Sequence, residues 1–225
     1  QSLVVLFAVF AQLGLETILL RDLVRRPEDA RDLLGTSLAL RLSGAVITLA
    51  LSVAAVHVLR PGDRLGAWLT LVFTTTAFAQ SFDIIEYWFQ SRSNLGPLVG
   101  ARISASLIAA FAKVAAILAR APLGVVAAVV AGEYALSSLA LVAAYRLQPG
   151  APRGWRVHSA QAARLLRSAW PLFLNGVAIV ISVRVDQMIL TALHGPRENG
   201  VYAASQRLTE VIYYAPVALM AAANP

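Results

Sequence analysis

Long apolar stretches broken by short polar turns set the pattern of this chain. Runs at 1–20, 35–59, 65–90, 98–120, 122–145, 169–193 and 199–225 are mostly apolar with few charges. A bilayer core about 30 Å thick needs roughly 20 such residues per helix, and only helices or closed barrels satisfy their own backbone polar groups in lipid. The runs therefore predict seven helices and an all-α fold, a polytopic transmembrane helical bundle. The breaks carry turn chemistry: Arg26-Pro27, Arg60-Pro61-Gly62-Asp63, Asn94-Leu95-Gly96-Pro97, Ala121-Pro122 and His194-Gly195-Pro196. Connectors this short make antiparallel packing of neighbours the expected arrangement.

Composition sharpens this. Hydrophobic residues make up 58% of 225 and charged residues only 14%, with a mean hydropathy of +0.68, more apolar surface than one soluble core can bury. Cysteine is absent, and His57, His158 and His194 are scattered, so no thiolate, zinc or haem site is expected and no cofactor is implied. A net charge of +7 would point to nucleic acid in a soluble protein, but the arginines concentrate between the apolar runs. That is a topology signal. Arg21, Arg25, Arg26, Arg31, Arg92, Arg146, Arg153, Arg156, Arg164 and Arg167 fall on one side, against Arg60, Arg64, Arg120 and Arg197 on the other. The first side is expected to be cytoplasmic. The chain opens on Gln1 and stops inside an apolar run at Asn224-Pro225, so a piece of a longer protein is expected, or a trimmed chain.

Charges inside the runs need partners, water or a function, since one at the bilayer centre costs about 3 to 10 kcal/mol or more. Asp83, Glu86 and Arg102 fall in the inner third, with Glu16 and Arg41 at similar depth. The five make an inner polar belt, either of structural salt bridges or functional. Glu133 lies about 16 Å inside the outer end of its run, near the midplane. A lone carboxylate there favours protonation, for a proton-coupled step or as a neutral hydrogen-bonded acid. Arg102, Ser106, Ala109 and Lys113 share one helix face, a cationic stripe with small residues between. On the last two runs, Arg184 and Asp186 sit about 13 and 10 Å from the outer loop, and Arg207 and Glu210 about 12 and 16 Å. Asp186 can pair with Arg207 and Arg184 with Glu210, or an arginine can face a cavity. An arginine-lined cavity suits a lipid diphosphate head, whose oxygens match the guanidinium fork.

Several stretches carry a family likeness: Gly14–Pro27, Phe82–Arg92, Trp170-Pro171 with Arg184–Met188, and Gly200–Glu210. In order and spacing the chain resembles the polysaccharide biosynthesis or O-antigen flippases of the multidrug/oligosaccharidyl-lipid/polysaccharide exporter superfamily. The resemblance implies two lobes of about twelve to fourteen helices in all around a central cavity. It also implies alternating access in a bacterial inner membrane, with an undecaprenyl-diphosphate-linked oligosaccharide as substrate. On that footing residues 1–145 supply helices two to six of the first lobe, 146–168 a basic inter-lobe linker, and 169–225 the first two helices of the second lobe. A cationic cavity in such a protein matches Arg102, Lys113, Arg184 and Arg207. Glu133, Asp186, Glu210, Asp83 and Glu86 are the candidates for charge pairing or for coupling to protons or sodium.

The linker mixes Arg146, Arg153, Arg156, Arg164 and Arg167 with Trp155, Leu165 and Leu166. It reads as a solvated positive-inside loop or as a segment lying on anionic membrane lipid. Two rival functions stay open. A multidrug or cation antiporter would share the fold and carry an acidic cavity. A membrane-embedded glycosyltransferase would need an acid/base pair, for which Asp83 and Glu86 are the only candidates at suitable spacing.

Overall fold

The computed structural model describes residues 14–59 and 64–180, together with 182, 200, 202, 205 and 206. Among these the chain is helical without a strand. In order come α1 (Glu16–Arg25), a 3-10 turn (Pro27–Asp29), α2 (Ala30–Leu59), α3 (Arg64–Gln80), a second 3-10 turn (Ser81–Asp83), α4 (Ile84–Ser91), α5 (Leu95–Leu118) and α6 (Leu123–Leu147). A further helix, α7, covers 159–180. Two compact units divide after Val177. In the second, the Ser182 hydroxyl donates to the Ala178 carbonyl and that of Ser205 to the Tyr202 carbonyl.

Helix starts and stops follow local chemistry. α2 begins ahead of the expected residue 35 because Pro27 opens a 3-10 turn and Glu28, Asp29 and Asp32 complement the positive end of the helix dipole. α5 begins at Leu95 rather than 98, since Pro97 sits in the first turn where its missing N–H has no partner to lose. Two helices end on left-handed residues other than glycine. Ser93 (φ 52°) lets Asn94 N–H reach the Phe89 carbonyl, and Arg120 (φ 50°) lets Ala121 N–H reach that of Ala116.

The expected single helix over 65–90 is broken by the 3-10 turn Ser81–Asp83. No proline or glycine stands there. The hydroxyls of Thr74, Thr75, Thr76 and Ser81 donate back to the carbonyls of Thr70, Val72, Phe73 and Ala77 at 2.6 to 2.9 Å. Such back-bonding competes with the helical ladder and bends it.

Among the described residues three helices are long and apolar enough to cross a membrane: Pro27–Val58, Leu95–Leu118 and Gly124–Leu147, with mean hydropathies of 1.9, 1.7 and 1.9. Their outer faces are apolar, as lipid requires: Val46, Ile47, Val58, Ile108, Phe111 and Leu118 are all exposed. α5 and α6 form the tightest antiparallel pair, α3 packs on both α2 and α6, and α1 packs on α4. Buried Ala101, Ala105 and Ala109 recur every fourth residue on α5, the small-residue spacing that lets membrane helices approach closely.

The large buried side chains gather at one end of the bundle. Leu19, Leu33, Leu34, Ile84, Ile85, Trp88, Phe89, Leu141, Tyr145 and Leu165 form one cluster there. Within it Trp88 sits edge-on to Phe89 and Tyr145 at centroid distances of 5.1 and 5.0 Å. Arg25, Arg31, Arg92, Arg146 and Arg153 all belong to this same end.

The stretch 146–168, read from sequence as a linker, is neither all loop nor free of the bundle. α6 runs on to Leu147 and α7 starts at 159, well before the expected 169. Between them, Arg156 N–H donates to the Arg31 carbonyl and His158 N–H to Thr36 Oγ1 at 3.1 Å. His158 Nε2 lies 3.3 Å from Asp32, and Arg164 lies 3.5 Å from Asp22. Gly35 permits this docking, because a Cβ there would overlap the Arg156 backbone. Alanine in a helix interior normally stabilises by about 0.5–1 kcal/mol over glycine. Gly35→Ala should instead destabilise by roughly 1–3 kcal/mol from overpacking and speed trypsin cleavage at Arg153 and Arg156. Gly100→Ala, with nothing within 4 Å of its Cβ, is the control and should gain stability in the same melting experiment.

Candidate functional site

The broken helix positions the site. Asp83 closes the 3-10 turn and Glu86, Tyr87 and Gln90 follow at helical spacing, so the four share a face. The next helix brings Arg102 against it. One guanidinium nitrogen of Arg102 donates to both Asp83 Oδ1 at 2.8 Å and Glu86 Oε2 at 2.7 Å. The other donates to Ser137 Oγ on α6 at 2.7 Å, and Gln90 donates to the second Glu86 oxygen at 3.2 Å. A single arginine thereby ties together α4, α5, α6 and the turn between α3 and α4. Ser138 adds a second tie, its hydroxyl donating to the Ala79 carbonyl at 2.6 Å.

Arg41 on α2 approaches the same face from the other side. Its side chain is only 4% exposed and reaches Glu16 Oε1 at 3.6 Å. It donates to the Gln80 carbonyl at 3.3 Å and the Tyr87 hydroxyl at 3.4 Å, with its guanidinium 5.6 Å from the Tyr87 ring centroid. These contacts are long for a buried charge, and its Nε has no hydrogen-bond partner. The structure thus joins the five groups expected as an inner belt, Glu16, Arg41, Asp83, Glu86 and Arg102, around a cleft of 480 Å³. Its walls are Glu16, Thr17, Leu20, Asp83, Glu86, Tyr87 and Gln90. Three carboxyl groups line the cleft and the two arginines do not, so acidic side chains outnumber basic ones in the set by one.

Arg102 and Lys113 both stand on α5, but neither cation is free. Lys113 Nζ lies 2.6 Å from Glu133 Oε2, where α5 and α6 face each other. Glu133, read from sequence as a lone carboxylate, is therefore one half of an ion pair. The reason is the α5–α6 hairpin: its antiparallel register sets these two residues at one level. Arg184, Asp186, Arg207 and Glu210 lie outside the described residues.

Sequence reading did not single out Tyr87, Gln90 or Ser137. The first two carried a usable signal, the spacing of Asp83, Glu86, Tyr87 and Gln90 on one helical face. Ser137 carried none, as serines are common in such helices and its role depends on which way α6 faces.

A family model described as polysaccharide biosynthesis protein matches residues 1–223. Comparison with curated proteins gives no match, and comparison with solved structures gives none. The match covers nearly the whole chain, including the Phe82–Arg92 stretch that carries the ionic face. With its long apolar helices and charged inner cluster, this chain is a multi-pass α-helical membrane protein belonging to the polysaccharide biosynthesis protein family.

Proposed function

We propose that this chain serves the movement of an undecaprenyl-diphosphate-linked oligosaccharide across a bacterial inner membrane by alternating access. The carrying observation is the charged, hydroxyl- and amide-lined cleft set within a bundle of membrane-spanning helices. Lipid gives no reason to keep so many ionisable groups there, whereas a hydrated head group in transit does. Carboxylates, a phenol and an amide match sugar hydroxyls. A diphosphate asks for unneutralised cations, and Arg102 and Lys113 are both spoken for. The diphosphate contacts in this reading fall to Arg184 and Arg207. Asp83, Glu86, Glu133, Asp186 and Glu210 are the groups through which protons or sodium would couple. No bond of the substrate needs to break.

In vesicles holding the complete protein, Arg184→Ala and Arg207→Ala should each slow translocation of the lipid-linked sugar at least about ten-fold, the scale of one lost charge-assisted contact. Normal rates in both would remove the assignment. One observation favours the cation exporter as a second reading: Glu16, Asp83 and Glu86 all line the cleft. A cationic dye driven across the same vesicles, with no movement of the lipid-linked sugar, would decide for it.

A further inference from the structure

The other face of the same broken helix borders a second cavity. Its volume is 570 Å³, in the range of roughly 300–1,000 Å³ typical of ligand pockets. Leu38, Phe82, Ile85, Val142 and Trp155 give it apolar walls, and among the described residues Arg146 and Arg153 are the only charged ones lining it. Among the described residues neither arginine has a carboxylate within 4 Å. Arg153 is turned by its hydrogen bond to the Arg146 carbonyl at 3.4 Å. The aromatic polar atoms are already satisfied, since the Tyr145 hydroxyl and Trp155 Nε1 both donate to the Pro152 carbonyl. What remains for a ligand is a greasy slot with two guanidinium groups, at the arginine-rich end of the bundle.

An apolar body with an anionic head is the complement of that lining. We infer that this cavity, closed by the docked linker, holds an anionic phospholipid of the cytoplasmic leaflet, its phosphate on Arg146 and Arg153 and one acyl chain against Phe82, Ile85 and Val142. Charge selects this occupant over a zwitterionic lipid, because basic pockets between membrane helices on that side attract anionic heads. The placement also gives the lipid a mechanical role. Phe82 and Ile85 alternate along the chain with Asp83 and Glu86, so a chain seated on the first pair braces the turn that presents the second to Arg102.

The test uses the full chain in detergent, titrated with phosphatidylglycerol or phosphatidylcholine and followed by native mass spectrometry and melting temperature. Phosphatidylglycerol should bind at least ten-fold more tightly and raise the melting temperature more. The double variant Arg146→Ala/Arg153→Ala should lose that preference and Arg146→Lys/Arg153→Lys should keep most of it. Val142→Trp, which fills the slot and leaves both arginines in place, should lose binding while melting cooperatively without lipid. Equal binding of the two lipids, a preference that survives the double alanine variant, or competition by glycerol phosphate as strong as by the lipid would each overturn the inference.

Discussion

Arg102→Ala is expected to destabilise the protein by about 3 kcal/mol and, on the proposed function, to abolish transport. Removing one partner of a buried ion pair costs about 3–5 kcal/mol because the remaining charge is stranded. The lower end applies here, as the Arg102 side chain is 34% exposed. Two carboxylates and Ser137 lose their donor together, so the effect exceeds that of an ordinary surface substitution of about 0.5 kcal/mol. The same logic gives a rescue: in Arg102→Ala/Asp83→Asn/Glu86→Gln no charge is stranded, and most of the lost melting temperature should return. If Arg102→Ala alone melts like the parent protein, the network contributes nothing to the bundle and the inner site is wrongly built. If the triple variant recovers the fold and also transports, the charges hold the helices and do nothing else.

Lys113→Ala should be nearly as damaging, by about 2–3 kcal/mol, since it strands Glu133 between two helices whose surroundings are lipid and alanine. The neutral pair Lys113→Met/Glu133→Gln should restore the melting temperature to within about 1 kcal/mol, because apolar or neutral replacements of similar volume repack such sites at little cost. A double variant no more stable than Lys113→Ala would show that the pair is not the source of the loss. Transport by the double variant then separates two roles. Loss of ion dependence with a sound fold assigns coupling to Glu133, and unchanged transport assigns it a structural role.

Depth along a helix was legible in the sequence, and direction around it was not. Within the described residues, runs of apolar residues and the turns between them placed the helices, and counting residues from their ends put Glu16, Arg41, Asp83, Glu86 and Arg102 at one level, where they meet. Pairing needs the azimuth of each neighbouring helix, which no single run contains. Arg102 and Lys113 therefore read as an open cationic stripe, and Glu133 as solitary, until α6 is set against α5. The break at Ser81–Asp83 escaped for a different reason. Threonines inside an apolar run read as ordinary helix, and their effect comes only when three successive threonine hydroxyls, and Ser81 after them, turn back on the backbone. The docking of residues 151–158 onto α2 rests on Gly35 and Thr36, more than a hundred residues away in the chain, and such contacts leave no local periodicity to read.

The crowding of large side chains at one end has a mechanical consequence. Leucine, tryptophan and phenylalanine interlock there, whereas the far halves of α5 and α6 meet mainly through alanines with their bulky residues turned to the bilayer. The short turn at 119–122 and the Lys113–Glu133 pair keep the far ends of these two helices together. The hairpin is therefore one stiff arm with its clasp at the crowded end, and any change of opening moves α5 and α6 as a unit.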